Sequence, residues 1–250
     1  MQRGSIAIYA GDLKQAHADL SESRAFFLDA GEPMRVATAD CRLGELATAE
    51  RDYGTARAHF ERSLAAFRSL GEQRGIFRQG LAIVLTHLGE LADREGDDAS
   101  ASAYCQEALK LAQELGDKGT VAWTLVALGR IARHQGDEQR ALPLVQEALL
   151  LRHEQGHTWA SLVCLGEVAE AGVLAGQFER AVRLFAAAAR HRTAAATPAA
   201  NGDLSDYAPA RTDQQLATLR TALAPAIFAK RWAEGTALSL EEAVDYALNR

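Results

Sequence analysis

The sequence predicts an all-α chain of stacked helical hairpins, and three observations carry that reading. The first is a pair of turn series that share one period. Gly11-Asp12, Arg51-Asp52, Gly96-Asp97, Gly136-Asp137 and Gly176-Gln177 begin at intervals of 40, 45, 40 and 40 residues. Gly31-Glu32, Gly71-Glu72, Gly116-Asp117 and Gly156-His157 follow one another at 40, 45 and 40. Two turn series with one period mean two helices per repeat. The second observation is a set of small and large apolar residues recurring in register with those turns. The third is a composition rich in Ala, Leu, Glu and Arg and poor in β-branched residues, which favours helix over strand.

The segments between turns read as amphipathic helices. From Asp52 to Leu70, the residues Tyr53, Ala56, Phe60, Leu64 and Phe67 recur every three or four positions, one face of a helix. Leu109, Leu111 and Leu115 close the next such helix, and Gly116 follows where a left-handed residue ends it. Each helix spans about 15–18 residues, or ~25 Å at 1.5 Å per residue.

Within the repeat, columns are legible. Gly4, Gly44, Gly89, Gly129 and Ala169 share a position in the first helix, and Ala7, Ala47, Ala92, Ala132 and Gly172 lie three residues on. In the second helix Ala16, Ala56, Ala101, Ala141 and Ala181 form one column. Leu20, Phe60, Cys105, Val145 and Phe185 form another, and Ser23, Ser63, Ala108, Ala148 and Ala188 a third. Small residues let two helix backbones approach, and the large residue between them fills the groove. One alanine column means little in an alanine-rich chain, but five columns in one register are hard to get by chance.

This pattern resembles the tetratricopeptide repeat, with its Leu-Gly in the first helix and its Ala-x3-Phe in the second. Ala56-x3-Phe60 and Ala181-x3-Phe185 match best. The resemblance implies a tetratricopeptide-like helical-hairpin solenoid, a right-handed superhelix, closed by C-terminal capping helices. The period of 40 departs from the family's ~34, the early Trp and the Tyr of the first helix are absent, and Gly stands for the closing Pro. Longer helices account for the period.

The expected organisation is about five helix pairs over residues 1–192, the first incomplete, then a loop over 193–209 and capping helices over 210–250. Gly4 occupies its column so close to the start that the first helix lacks at least a turn. The expectation is a fragment or an N-terminally shortened product, the alternative an unusual cap. Residues Thr193 to Asp206 are rich in Ala, Thr, Pro, Asn and Gly, which reads as loop. Helix resumes from about Ala210 to Ala222 and from Pro225, which suits a first turn, to Glu234. Ser239-Leu240-Glu241-Glu242 is a capping box opening a last helix to about Leu248. Arg183-Leu184-Phe185-Ala186-Ala187-Ala188, with Phe228 to Leu248 (FAKRWAEGTALSLEEAVDYAL), is similar to the C-terminus of large bacterial regulators of the AfsR or LuxR-regulator type. Those proteins join a signal-transducing NTPase to a tetratricopeptide-like half, so the resemblance implies a sensing or scaffolding role. Neither ATP hydrolysis nor DNA binding carries over to these residues.

Chemistry-bearing motifs are few. His153-Glu154-Gln155-Gly156-His157 fits HExxH, whose zinc chemistry needs both His on one helix face. Gly156 falls in the helix-ending glycine column, so His157 lies beyond the helix and the reading is a turn with two solvated histidines. No GxxxxGK[ST], strand-borne GxGxxG or GxSxG is present, and His17, His59, His87, His134 and His191 are scattered singly. The reading is therefore no enzyme, no metal and no cofactor. Cys41, Cys105 and Cys164 are widely spaced and odd in number, which suits small buried residues in a reducing cytoplasm. A net charge of -6 argues against nucleic acid, and the absence of any long apolar run argues against a membrane span, so a soluble, cytoplasmic chain is expected.

The resemblance implies ligands on the concave surface lined by first helices. The matching positions are Thr38, Cys41 and Glu45; Ile83, Thr86, Glu90, Asp93 and Arg94; Trp123, Val126, Arg130, Arg133 and His134; and Val163 and Glu170. Trp123, Arg130, Arg133 and His134 weigh most, because an aromatic beside two guanidinium groups suits an acidic peptide or carboxylate. The expected partner is thus a protein or peptide, acidic in character. Glu90 and Asp93 neutralising those arginines, a solvated face with no ligand, and self-association into a homo-oligomeric scaffold stand as alternatives.

Overall fold

The computed structural model describes residues 13–71, 75–194 and 209–249. The expected first-repeat positions Gly4, Ala7 and Gly11 and the loop residues 195–208 lie outside them. The chain divides into two compact units, residues 1–127 and 128–250. Among the described residues all regular structure is helical, twelve helices in all. The first unit holds α1 (Leu13–Asp29), α2 (Pro33–Ala49), α3 (Tyr53–Ser69), α4 (Gly75–Glu95), α5 (Asp98–Leu115) and the start of α6 (Lys118–His134). The second holds the end of α6, then α7 (Glu138–Glu154), α8 (Thr158–Leu174), α9 (Phe178–Ala194), α10 (Pro209–Ala222), α11 (Pro225–Ala237) and α12 (Leu240–Leu248). No described helix is long and apolar enough to cross a membrane.

The turns are compact because one short motif ends a helix and starts the next. Gly96 has φ +77°, and the following N–H of Asp97 bonds the Ala92 carbonyl, closing α4. The Asp97 carboxylate then accepts the Ser100 N–H and caps α5. Asp137 does both jobs between α6 and α7, accepting from Arg140 while its N–H bonds the Ala132 carbonyl. Arg51 takes the same left-handed conformation, φ +62°, although it carries a side chain, and Asp52 still caps α3 through Thr55.

The columns pack as pairs. A Cβ on Gly44 would stand 2.6 Å from the Phe60 ring, and one on Gly129 would stand 2.5 Å from Val145. Gly89 faces Cys105 in the same way. Each first-helix glycine therefore receives the large residue of its own hairpin partner. Ala56, Ala101, Ala141 and Ala181 are all buried, as are Ser63, Ala108, Ala148 and Ala188. Ser63 needs a partner there and donates to the Ala37 carbonyl at 2.7 Å. Around them Phe60, Phe67, Leu81, Leu85 and Leu88 form the core of the first unit.

The C-terminal helices close the second unit on α9. Gly235 sits so near the Arg183 carbonyl and Ala186 that no Cβ fits, which lets α11 rest directly on the α9 backbone. This gives the glycine of the Trp232-Ala233-Glu234-Gly235 segment a physical reason. The helix runs three residues past Glu234, to Ala237, through Gly235, whose close packing on α9 offsets its low helix propensity. Arg190 donates to the Thr236 and Leu238 carbonyls, satisfying the end of α11. The capping box of α12 is formed, Ser239 accepting from the Glu242 N–H and Glu242 from the Ser239 N–H. At the far end of α12, Gln146 and Arg180 both donate to the Ala247 carbonyl.

Candidate functional site

The residues that directly follow the first-helix small column are Glu45, Glu90, Arg130 and Glu170, and three positions earlier stand Arg42, His87, Ala127 and Glu167. Positions three apart are neighbours on a helix surface. Each first helix therefore presents these two columns side by side, and in both units they carry ionisable side chains, Ala127 excepted.

In the first unit they join into a chain of contacts. Arg42 Nη1 donates to both Glu45 oxygens, at 2.9 and 2.7 Å. Glu45 Oε1 lies 3.0 Å from His87 Nε2 on the next first helix, and His87 Nδ1 is 3.8 Å from Glu90 Oε2. Trp123 Nε1 donates to Glu90 Oε1 at 3.2 Å. The His87 ring is stacked on Phe60, with centroids 4.8 Å apart and planes within 10°, and meets Trp123 edge-on at 4.6 Å. The Glu45, His87 and Glu90 side chains are 18%, 11% and 11% exposed, so the row is half-buried. Burial favours the neutral Glu45 carboxyl, but the His87 hydrogen bond and the Arg42 charge outweigh it and pull its pKa down to about 2. Cys41 Sγ is 3.9 Å from Glu45 Oε1, and burial together with that carboxylate pushes its thiol well above the ordinary range.

The other expected groove positions divide by burial. Thr38 is half-buried and bonded to the Met34 carbonyl of its own helix. Thr86 is fully buried, its hydroxyl 2.9 Å from that of Thr124. Val126 is buried, and Arg130 is only 5% exposed. Ile83, Asp93 and Val163 are half-buried, while Arg94 and His134 are exposed.

In the second unit Arg133 bonds Glu170 through Nη1, and its Nη2 is 3.8 Å from Glu167. Both glutamates are buried. The carboxylates that answer Arg133 thus come from the following hairpin. Reading helices one at a time does not single out Glu167, Arg42 or His87. All three occupy one column, two positions before the small residue, and that column is the signal that finds them.

A separate ion cluster ties α1, α2 and α3. Buried Asp40 accepts from Arg24 at 3.0 Å, His59 at 2.9 Å and Arg62 at 3.3 Å. Burial raises its pKa, but these hydrogen bonds and charges prevail and lower it. The HExxH match has no metal geometry. His153 is in the last turn of α7, Gly156 has φ +69°, and His157 is the N-cap of α8.

Comparison with known proteins agrees with the architecture. The tetratricopeptide repeat family model matches residues 80–152. The crystal structure of BtubC (BKLC) from P. vanneervenii is similar in fold, with a TM-score of 0.63 and 20% sequence identity over 95% of this chain and 90% of that one. No curated protein matches the sequence. Tetratricopeptide repeats generally mediate protein–protein interaction or scaffolding.

Proposed function

We propose that this chain is a protein- or peptide-binding repeat module, the sensor or scaffold part of a bacterial signalling or transcriptional regulator. The observation that carries the binding reading is the half-buried row Arg42, Glu45, His87, Glu90 and Trp123. Glycine–aromatic pairing and an apolar core suffice to hold helical hairpins together, whereas half-burying carboxylates and an imidazole costs desolvation energy. A row of that kind on consecutive first helices is a recognition surface. The regulator context rests on the likeness of Arg183–Ala188 and Phe228–Leu248 to the ends of such proteins. An acidic partner tail would engage Arg133 only by exchange with Glu170.

A second reading, a homo-oligomeric scaffold, is favoured by Phe26 and Leu28, which are 66% and 59% exposed at the end of α1. Size-exclusion chromatography with light scattering, followed by a peptide array probed with the tag-free chain, separates the two. A monomer that retains discrete array peptides supports recognition. A concentration-dependent oligomer that Phe26→Ser dissolves, with an empty array, supports assembly.

A further inference from the structure

We propose that Cys41, Glu45 and His87 form a binding site for a divalent transition metal of the zinc class, bridging α2 and α4. One donor atom from each residue lies within 4.8 Å of the others. Thiolate, imidazole and carboxylate are the donor types zinc takes, and its bonds of about 2.0–2.3 Å place tetrahedral donors roughly 3.3–3.6 Å apart. The distances here, 3.9 Å from Cys41 Sγ to Glu45 Oε1 and 3.0 Å from Glu45 Oε1 to His87 Nε2, bracket that range. Cys41 and Glu45 are four residues apart on one helix, so they project from the same face.

The surroundings suit an ion. Arg42 Nη1 bridges both Glu45 oxygens, 2.9 Å from Oε1 and 2.7 Å from Oε2; with Oε1, which also faces Cys41 and His87, turned to the ion, the guanidinium keeps its shorter bond to Oε2. His87 Nδ1 faces Glu90, the usual arrangement of a carboxylate behind a metal-bound imidazole that fixes its tautomer. Phe60 stacked on the ring and Trp123 at its edge hold the imidazole plane. On binding, Cys41 gives its thiol proton to solvent and His87 ligates as neutral imidazole with its remaining proton on Nδ1. The ion's two positive charges and that of Arg42 are then balanced by the Cys41 thiolate and the Glu45 and Glu90 carboxylates, leaving no uncompensated charge in a half-buried place. Three protein donors leave a fourth position for water or a partner's side chain. This site needs no peptide ligand, so it stands or falls apart from the recognition reading.

The test is a cobalt(II) titration of the tag-free full chain followed by displacement with zinc. A thiolate-to-cobalt charge-transfer band saturating at one ion per chain is expected, retained in Cys105→Ser and Cys164→Ser and absent in Cys41→Ser. Changes behind a ligand typically cost 10–100-fold in affinity, so His87→Gln is expected to weaken cobalt by more than about a hundredfold and Glu90→Gln by about tenfold. Circular dichroism keeps these readings to folded protein, and His87→Gln decides if Cys41→Ser does not fold. No charge-transfer band in the parent chain, a band that survives Cys41→Ser, or unchanged cobalt affinity in folded His87→Gln overturns the site.

Discussion

Glu45 and His87, forty-two residues apart in sequence, meet side chain to side chain at 3.0 Å across consecutive first helices. Each carries a second charged or aromatic neighbour, Arg42 for Glu45 and Phe60 for His87. The contact therefore couples the stability of the first unit to the protonation of one carboxylate.

The sign of that coupling follows from the Glu45 pKa, depressed from an ordinary 4.5 to about 2. A depressed carboxylate stabilises the fold above about pH 4.5 and loses that contribution as pH falls through about 2. Between about pH 6 and about pH 3 the loss is on the order of 2 kcal/mol. In urea unfolding with a chelator present, Glu45→Gln should show a correspondingly flatter acid limb than the parent. Parallel limbs for the two proteins contradict the pairing.

Two glycine substitutions should move stability in opposite directions. Alanine in a helix interior is favoured over glycine by about 1 kcal/mol. At Gly44 that gain meets the Phe60 ring at 2.6 Å, and overpacking a filled core costs ~1–3 kcal/mol. Gly44→Ala should therefore destabilise by about 1 kcal/mol and displace the ring on which His87 stacks. At Gly166 in α8 an added methyl would meet nothing within 4 Å, so Gly166→Ala should stabilise by up to about 1 kcal/mol. Thermal melts of both variants check this, and equal shifts contradict the column packing.

Arg133 should behave as a structural tie. Removing it leaves Glu167 and Glu170 buried with their shared guanidinium gone, a change that typically costs 3–5 kcal/mol. Arg133→Ala should lower the unfolding free energy by that much, read in urea as a lower midpoint at an unchanged slope. A loss under about 1 kcal/mol would mean that the guanidinium is free to serve a partner.

The fold was legible because its determinants are local or periodic. Gly96-Asp97 announces a turn by its own chemistry, and Gly44 with Phe60 announces a hairpin by sharing a register with Gly89 and Cys105. The ion pairs were less legible. Glu45, Glu90, Trp123 and Arg133 all stand out as polar interruptions, but sequence does not say which faces which. Arg133 meets the following hairpin's Glu170, and Glu90 meets Trp123, because the offset between neighbouring first helices places those atoms within reach. Spacing alone makes Arg130 an anchor for a ligand, whereas packing leaves it 5% exposed.

The measurement closest to the central claim is the affinity of an array-selected peptide for the parent chain, Glu90→Gln and Glu107→Gln, by fluorescence anisotropy. Glu90 belongs to the row, whereas Glu107 is an exposed partner of Arg68 on α5, outside it. A charge-assisted hydrogen bond contributes about 1.5–3 kcal/mol, so Glu90→Gln should weaken binding at least about tenfold at an unchanged melting temperature. Glu107→Gln should bind as the parent does. Equal affinity in all three proteins would contradict a recognition surface built on this row.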